Sequence, residues 1–141
     1  MKQLNWLAIP ICLVVGMGFG FLWYGALFQD AWASVNGLTM DGDVFKKNGV
    51  KVESSAMPMI LNAVSMIIYA LILAWIIGKT NMWGFAKGAM IGVAVGAVAC
   101  IDRFVTNLFA FNPVEASLYD GVYIVILLAL LGGIIGLFKK K

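Results

Sequence analysis

Of the 141 residues, 62% are hydrophobic and 12% charged, with a mean hydropathy of +0.95, against about 45–50% apolar and about 25% charged in a typical soluble domain. A chain of this kind cannot hide its apolar surface from water, which excludes a soluble enzyme. With no His, two Cys, three Pro and a net charge of +3, a histidine-based catalyst, a zinc site, a His-ligated haem and a disulfide scaffold are all disfavoured.

One span takes about 20 apolar residues, so four helices and one substantial loop use nearly the whole chain as a single membrane domain over residues 1–141. No charge interrupts the stretch from Gln3 to Gln29, and the first span is expected over about residues 4–28. Ala31-Trp32-Ala33 has the small-x-small form of a signal cleavage site. The apolar region before it, however, is far longer than the roughly 7–15 residues of a signal, so a retained span is expected.

Residues 29–55 form the only appreciable extramembrane piece. Asn48-Gly49 could close a type I′ hairpin between Val44-Phe45-Lys46-Lys47 and Val50-Lys51-Val52-Glu53. A short interfacial helix from Met40 to Asn48 competes with it, having Asp41 and Asp43 early, Lys46 and Lys47 late and Gly49 as its stop. The helix is the preferred expectation, because the hairpin would set Lys46 opposite Lys51. Asp41-Gly42-Asp43 matches the first positions of a calcium loop, but the remaining ligand spacing is absent and no metal is expected.

The second span is expected over about residues 56–78, the third over about 84–111 and the fourth over about 117–138. Lys79-Thr80-Asn81 turns the chain between the second and third, Asn112-Pro113 breaks it between the third and fourth, and Lys139-Lys140-Lys141 follows the last. The fold class is therefore all-α, a compact bundle of four transmembrane helices.

Lys2, Lys79, Lys87 and the terminal lysines share one side of such a bundle. On the other side Lys46, Lys47 and Lys51 are offset by Asp30, Asp41, Asp43 and Glu53, so both termini are expected to be cytoplasmic. Trp6, Trp75 and Trp83 then lie toward the inner interface, with Trp23, Tyr24, Tyr119 and Tyr123 toward the outer one.

Gly84, Gly88, Gly92 and Gly96 recur every fourth residue in the third span, the pattern of a glycine zipper, with shorter versions at Gly16 and Gly20 in the first and Gly132 and Gly136 in the fourth. Lipid supplies no hydrophobic drive between helices, so association depends on the close backbone approach that small residues permit. These grooves either pack the four helices of one chain or leave one groove to face another chain. The former is preferred.

Asp102 and Arg103 lie within the third span, where a charge costs about 2.5–3.5 kcal/mol at the bilayer centre, so partners are expected. The two point about 100° apart on a helix, which aligns Arg103 with Asn107 and Asp102 with Thr106. Asp120, near the start of the fourth span, comes to a similar depth, and Arg103 with Asp120 is the preferred interhelical pair. Asn62, Tyr24 and Asp30 could complete the polar cluster. Such a cluster is either a sealed ion-pair network that fixes helix register or an outward-facing hydrophilic cavity. The sealed network is preferred, since no acidic residue at mid-depth in a second helix continues a relay.

Other chemistry is thin. Cys12 and Cys100 lie at opposite depths, which argues against a disulfide, and eight methionines are scattered without ligand spacing. A phosphate loop, a nucleophile elbow and a dinucleotide fingerprint are missing. No catalytic, cofactor-binding or metal-binding residue is assigned.

Leu4-Asn5-Trp6-Leu7-Ala8-Ile9, Gly20-Phe21-Leu22-Trp23-Tyr24-Gly25-Ala26-Leu27-Phe28, Ala31-Trp32 and Gly37-Leu38-Thr39 together resemble the family known as domain of unknown function 1761. Its members are small four-helix membrane proteins found mainly in bacteria. The motif match covers roughly the first 40 residues; the family often has Pro at the position of Ala26 and an acidic helical stretch at Asp41-Gly42-Asp43. The resemblance implies a multi-pass protein of the bacterial inner membrane with no assigned activity, and Trp23-Tyr24-Gly25 as an outer-interface anchor in which Gly25 permits close packing.

The expected role is a non-enzymatic accessory or packing subunit. Its partners would be the bilayer and other transmembrane helices, in a homo-oligomer or larger membrane complex, and not nucleic acid. The alternative is a small transporter or channel whose outer-leaflet polar cavity is lined by Asp102, Arg103, Asn107 and Asp120.

Overall fold

In the computed structural model, which describes residues 4–41, 44–53 and 55–140, the first helix, α1, runs from Ala8 to Leu22. Pro10 falls in its opening turn, where a missing N–H breaks no helical bond. The helix then widens into a π turn over Trp23–Leu27, closed by the Phe28 N–H donating to the Trp23 carbonyl at 2.9 Å. Helix and π turn together form a 20-residue candidate span, Ala8–Leu27. Helix α2, Gln29–Val35, follows and stops before Gly37, whose φ of +65° only glycine adopts freely.

The preferred expectation of a helix from Met40 to Asn48 is overturned. Strands β1 (Leu38–Asp41), β2 (Val44–Lys47) and β3 (Val50–Lys51) form an antiparallel sheet in chain order. Asn48 and Gly49 both have positive φ, 51° and 82°, the conformation a type I′ turn requires. Lys46 does face Lys51. That repulsion is weak among solvated side chains, and Lys46 Nζ donates to Asp41 Oδ2 at 2.5 Å. The stringent backbone demand of the turn outweighs it.

Helices α3 (Met57–Thr80), α4 (Phe85–Phe109) and α5 (Val114–Leu137) complete the chain. At 24, 25 and 24 residues each is about 36 Å long, enough to cross about 30 Å of hydrocarbon. Pro58 occupies the first turn of α3 and Pro113 immediately precedes α5, both places where proline is tolerated. Asn81 in the left-handed region ends α3. The fold is thus an all-α membrane bundle of four long helices, with α2 and the small sheet at one end.

Helix α5 is the hub. It packs against α1 and α3 and lies along α4, and 44% of its most apolar stretch is buried, against 22% for α4. Cys12, Met66, Leu73, Ile77, Leu127 and Leu131 anchor the core among α1, α3 and α5. Leu4 and Asn5 meet Phe138 and Lys139 at the opposite end from the sheet: the Asn5 N–H donates to the Phe138 carbonyl at 2.9 Å and Leu4 bridges Lys139. Lys139 Nζ lies 5.9 Å from the Trp83 ring centroid at that end.

The glycine grooves of α4 and α5 close on each other. A Cβ on Gly88 would collide with the Gly132 carbonyl, one on Gly92 with the Leu128 carbonyl, and one on Gly136 with the Gly84 carbonyl. At one end of this seam the Gly84 N–H donates to the Gly136 carbonyl at 2.8 Å. In α1, a Cβ on Gly16 would lie 2.6 Å from Met66 Sδ and one on Gly20 2.9 Å from the Tyr123 hydroxyl. All three grooves are therefore filled from within the chain.

Candidate binding cleft

The lower two-thirds of α3 is held in the core by Met66, Ala70, Leu73, Ala74 and Ile77, whereas Met57, Met59, Ile60 and Leu61 at its sheet end are exposed. A cleft of about 800 Å³ lies among α1, α3 and α5, reached from α4 by Arg103. That volume lies within the roughly 300–1,000 Å³ of small-molecule sites. Phe21 and Met59, 78% and 65% exposed, stand at its rim. Both belong to helices long and apolar enough to cross a membrane, and the cleft opens on the outer surface of the bundle between them.

Depth sorts the lining. Tyr24, Trp32, Arg103 and Asp120 lie toward the sheet end, Asn62, Ser65 and Tyr123 lie lower, and Met17, Met66 and Leu127 form a mostly apolar floor to which Tyr69 adds one hydroxyl. Below the floor the bundle is sealed by Cys12, Leu73, Ile77 and Leu131.

Asp120 is the organising group of the polar level. Its Oδ1 accepts from the Tyr24 hydroxyl at 2.9 Å and from Trp32 Nε1 at 3.1 Å, so one carboxylate fixes the π turn and α2 against α5. The widened turn presents Tyr24 to α5, and π turns of this sort recur at functional sites.

The expected Arg103–Asp120 ion pair is therefore absent among the described residues: both border the cleft, but the aromatic donors occupy Asp120 while Arg103 makes no hydrogen bond or ion pair. Of the other candidate cluster residues, Tyr24 and Asn62 line the cleft, and Asn62 Nδ2 approaches Met17 Sδ at 3.4 Å. Asp102 and Asn107 do not line it. Asn107 instead donates to Ser117 Oγ at 3.0 Å and accepts from Asn112 at 3.1 Å. Asp102 is exposed on α4, and Asp30 is exposed on α2.

Trp32, Ser65, Tyr69 and Tyr123 were not among the residues expected in the cluster. Asn62, Ser65 and Tyr69 are spaced three and four apart, one face of a helix, so their shared face was available in the sequence. Trp32 was not, since its position depends on the π turn. Trp23 and Gly25 also depart from expectation. Trp23 is 8% exposed and enclosed by Phe19, Phe28 and Tyr123 rather than anchored at an interface. A Cβ on Gly25 would meet only the Phe21 ring at ordinary contact distance. Cys100 contributes shape: a Cβ on Gly121 would lie 2.6 Å from its Sγ.

Four helices of membrane-crossing length and composition define a small multi-pass membrane protein, with a cleft open on one side of the bundle. The chain belongs to the family described as Protein of unknown function (DUF1761), whose family model matches residues 7–136. The likeness thus extends well beyond the first 40 residues that carry the motifs. No curated protein and no solved structure shows significant similarity to the chain.

Proposed function

We propose that the protein is a non-enzymatic carrier that takes a small amphipathic solute into this cleft at the outer leaflet. The observation that carries the reading is the cleft itself, with its apolar floor, its polar upper level containing Arg103 and Asp120, and its rim among lipid-facing side chains. A sealed core beneath it favours a carrier over an open channel. The outer placement follows from the lysine distribution, with the chain ends cytoplasmic. Transfer of an NBD-labelled single-chain lipid from proteoliposomes to acceptor vesicles tests this, using an anionic and a neutral form. The protein should accelerate transfer of at least one form, and Ile124→Trp, which fills the cleft, should abolish the acceleration. Rates equal to those of protein-free vesicles for both forms would refute it.

A second reading, a subunit of a homo-oligomer or larger membrane complex, is favoured by a different feature. Asp102 is exposed, without a hydrogen bond or ion pair among the described residues, on the sparsely packed end of α4. It lies about 10 Å from the helix end at Phe109, and its Cβ tilts toward the helix N-terminus, deeper into the bilayer. A partner helix supplying a donor there would relieve the cost of that charge in lipid.

A further inference from the structure

Resting on the carrier reading above, we propose that the occupant of the cleft is a single-chain amphiphile with one anionic headgroup, a carboxylate or a phosphate, held by Arg103. Arg103 and Asp120 are the two acidic or basic residues in the lining. Their situations differ. Asp120 Oδ1 already accepts from Tyr24 and Trp32, whereas Arg103 is exposed at the mouth of the cleft and has no hydrogen bond or ion pair among the described residues. A guanidinium stays charged in any protein environment, and within a membrane-spanning helix it calls for an anion. Its planar fork matches a carboxylate or phosphate with two parallel bonds.

The rest of the cleft matches an amphiphile rather than a compact ion. Leu127 is seven residues beyond Asp120 on α5, so the apolar floor lies about 10 Å below the charged level. A hydrocarbon chain leaving the headgroup would descend past Ile124 toward Met66 and Leu127, with Phe21 and Met59 at the lipid-facing opening. A polar end toward the sheet and an apolar end toward mid-bundle give the occupant the same orientation as lipid in the outer leaflet.

Native mass spectrometry of the full chain in nonionic detergent, with oleate, lysophosphatidate and monoolein as probes, tests this. The proposal expects one-to-one adducts with oleate, lysophosphatidate or both, and weak binding of neutral monoolein; which anion binds separates carboxylate from phosphate. Arg103→Gln should weaken the anionic adducts roughly tenfold or more, and Arg103→Lys, which keeps the charge, should restore part of the loss. Monoolein bound as well as the anions, or anionic adducts unchanged in Arg103→Gln, would overturn the headgroup assignment and leave the carrier reading standing. Absence of any adduct with all three probes would overturn both.

Discussion

Asp120 shows how one polar residue is made tolerable inside a membrane bundle. Its carboxylate collects a hydroxyl and an indole N–H from two other elements, so its desolvation is offset by bonds that also position the rim of the cleft. Glycine does the corresponding work where backbones touch. A Cβ on Gly92 would strike the Leu128 carbonyl, whereas one on Gly18 meets nothing within 4 Å. Gly92→Ala should therefore destabilise the bundle by about 1–3 kcal/mol, the usual scale of overpacking, while Gly18→Ala should leave it unchanged or slightly more stable. Thermal unfolding in detergent checks this, and equal midpoints for the two variants would contradict the seam. The spacing of these glycines was plain in the sequence. Which groove each would meet was not, because helix order around α5 is set by packing at a distance.

Among the elements, the bundle helices were legible from uncharged length, the β2–β3 hairpin was legible as the less favoured of two readings, and β1 was not legible. Two local patterns compete there: the Lys46–Lys51 repulsion that disfavours the hairpin is weak among solvated side chains, and the positive φ that Asn48 and Gly49 adopt readily outweighs it. The π turn was equally hidden, since Trp23-Tyr24-Gly25 carries no local signal for one extra residue in a helical turn. That turn aims Tyr24 at Asp120 and so decides why Arg103 lacks the partner that depth matching suggested. Helix α4 is the least buried of the four. If its Asp102 face meets another chain, mass determination in mild detergent should find an oligomer or a stoichiometric foreign subunit, which Asp102→Leu should weaken. A monomer of wild type with no co-purifying chain would dismiss that interface.

At the scale of the whole molecule, α3 is buried from Met66 downward and exposed at its sheet end, and the cleft opens beside that exposed end. Composition and span length were enough to establish a four-helix membrane protein, because hydrocarbon thickness constrains every span alike. A polar cavity was the less favoured of the two readings of the charged cluster; its apolar walls, from residues such as Met17, Met66 and Leu127, are brought together by packing that no local pattern encodes. Accessibility of the cleft is the central claim, and cysteine labelling in proteoliposomes tests it most directly. With Cys12 and Cys100 replaced by alanine, Ser65→Cys on the cleft wall should react readily with a lipophilic maleimide and be protected by a bound single-chain amphiphile, while Ala70→Cys in the core should stay unreactive. Equal, slow labelling at both positions would show a sealed bundle and contradict the account.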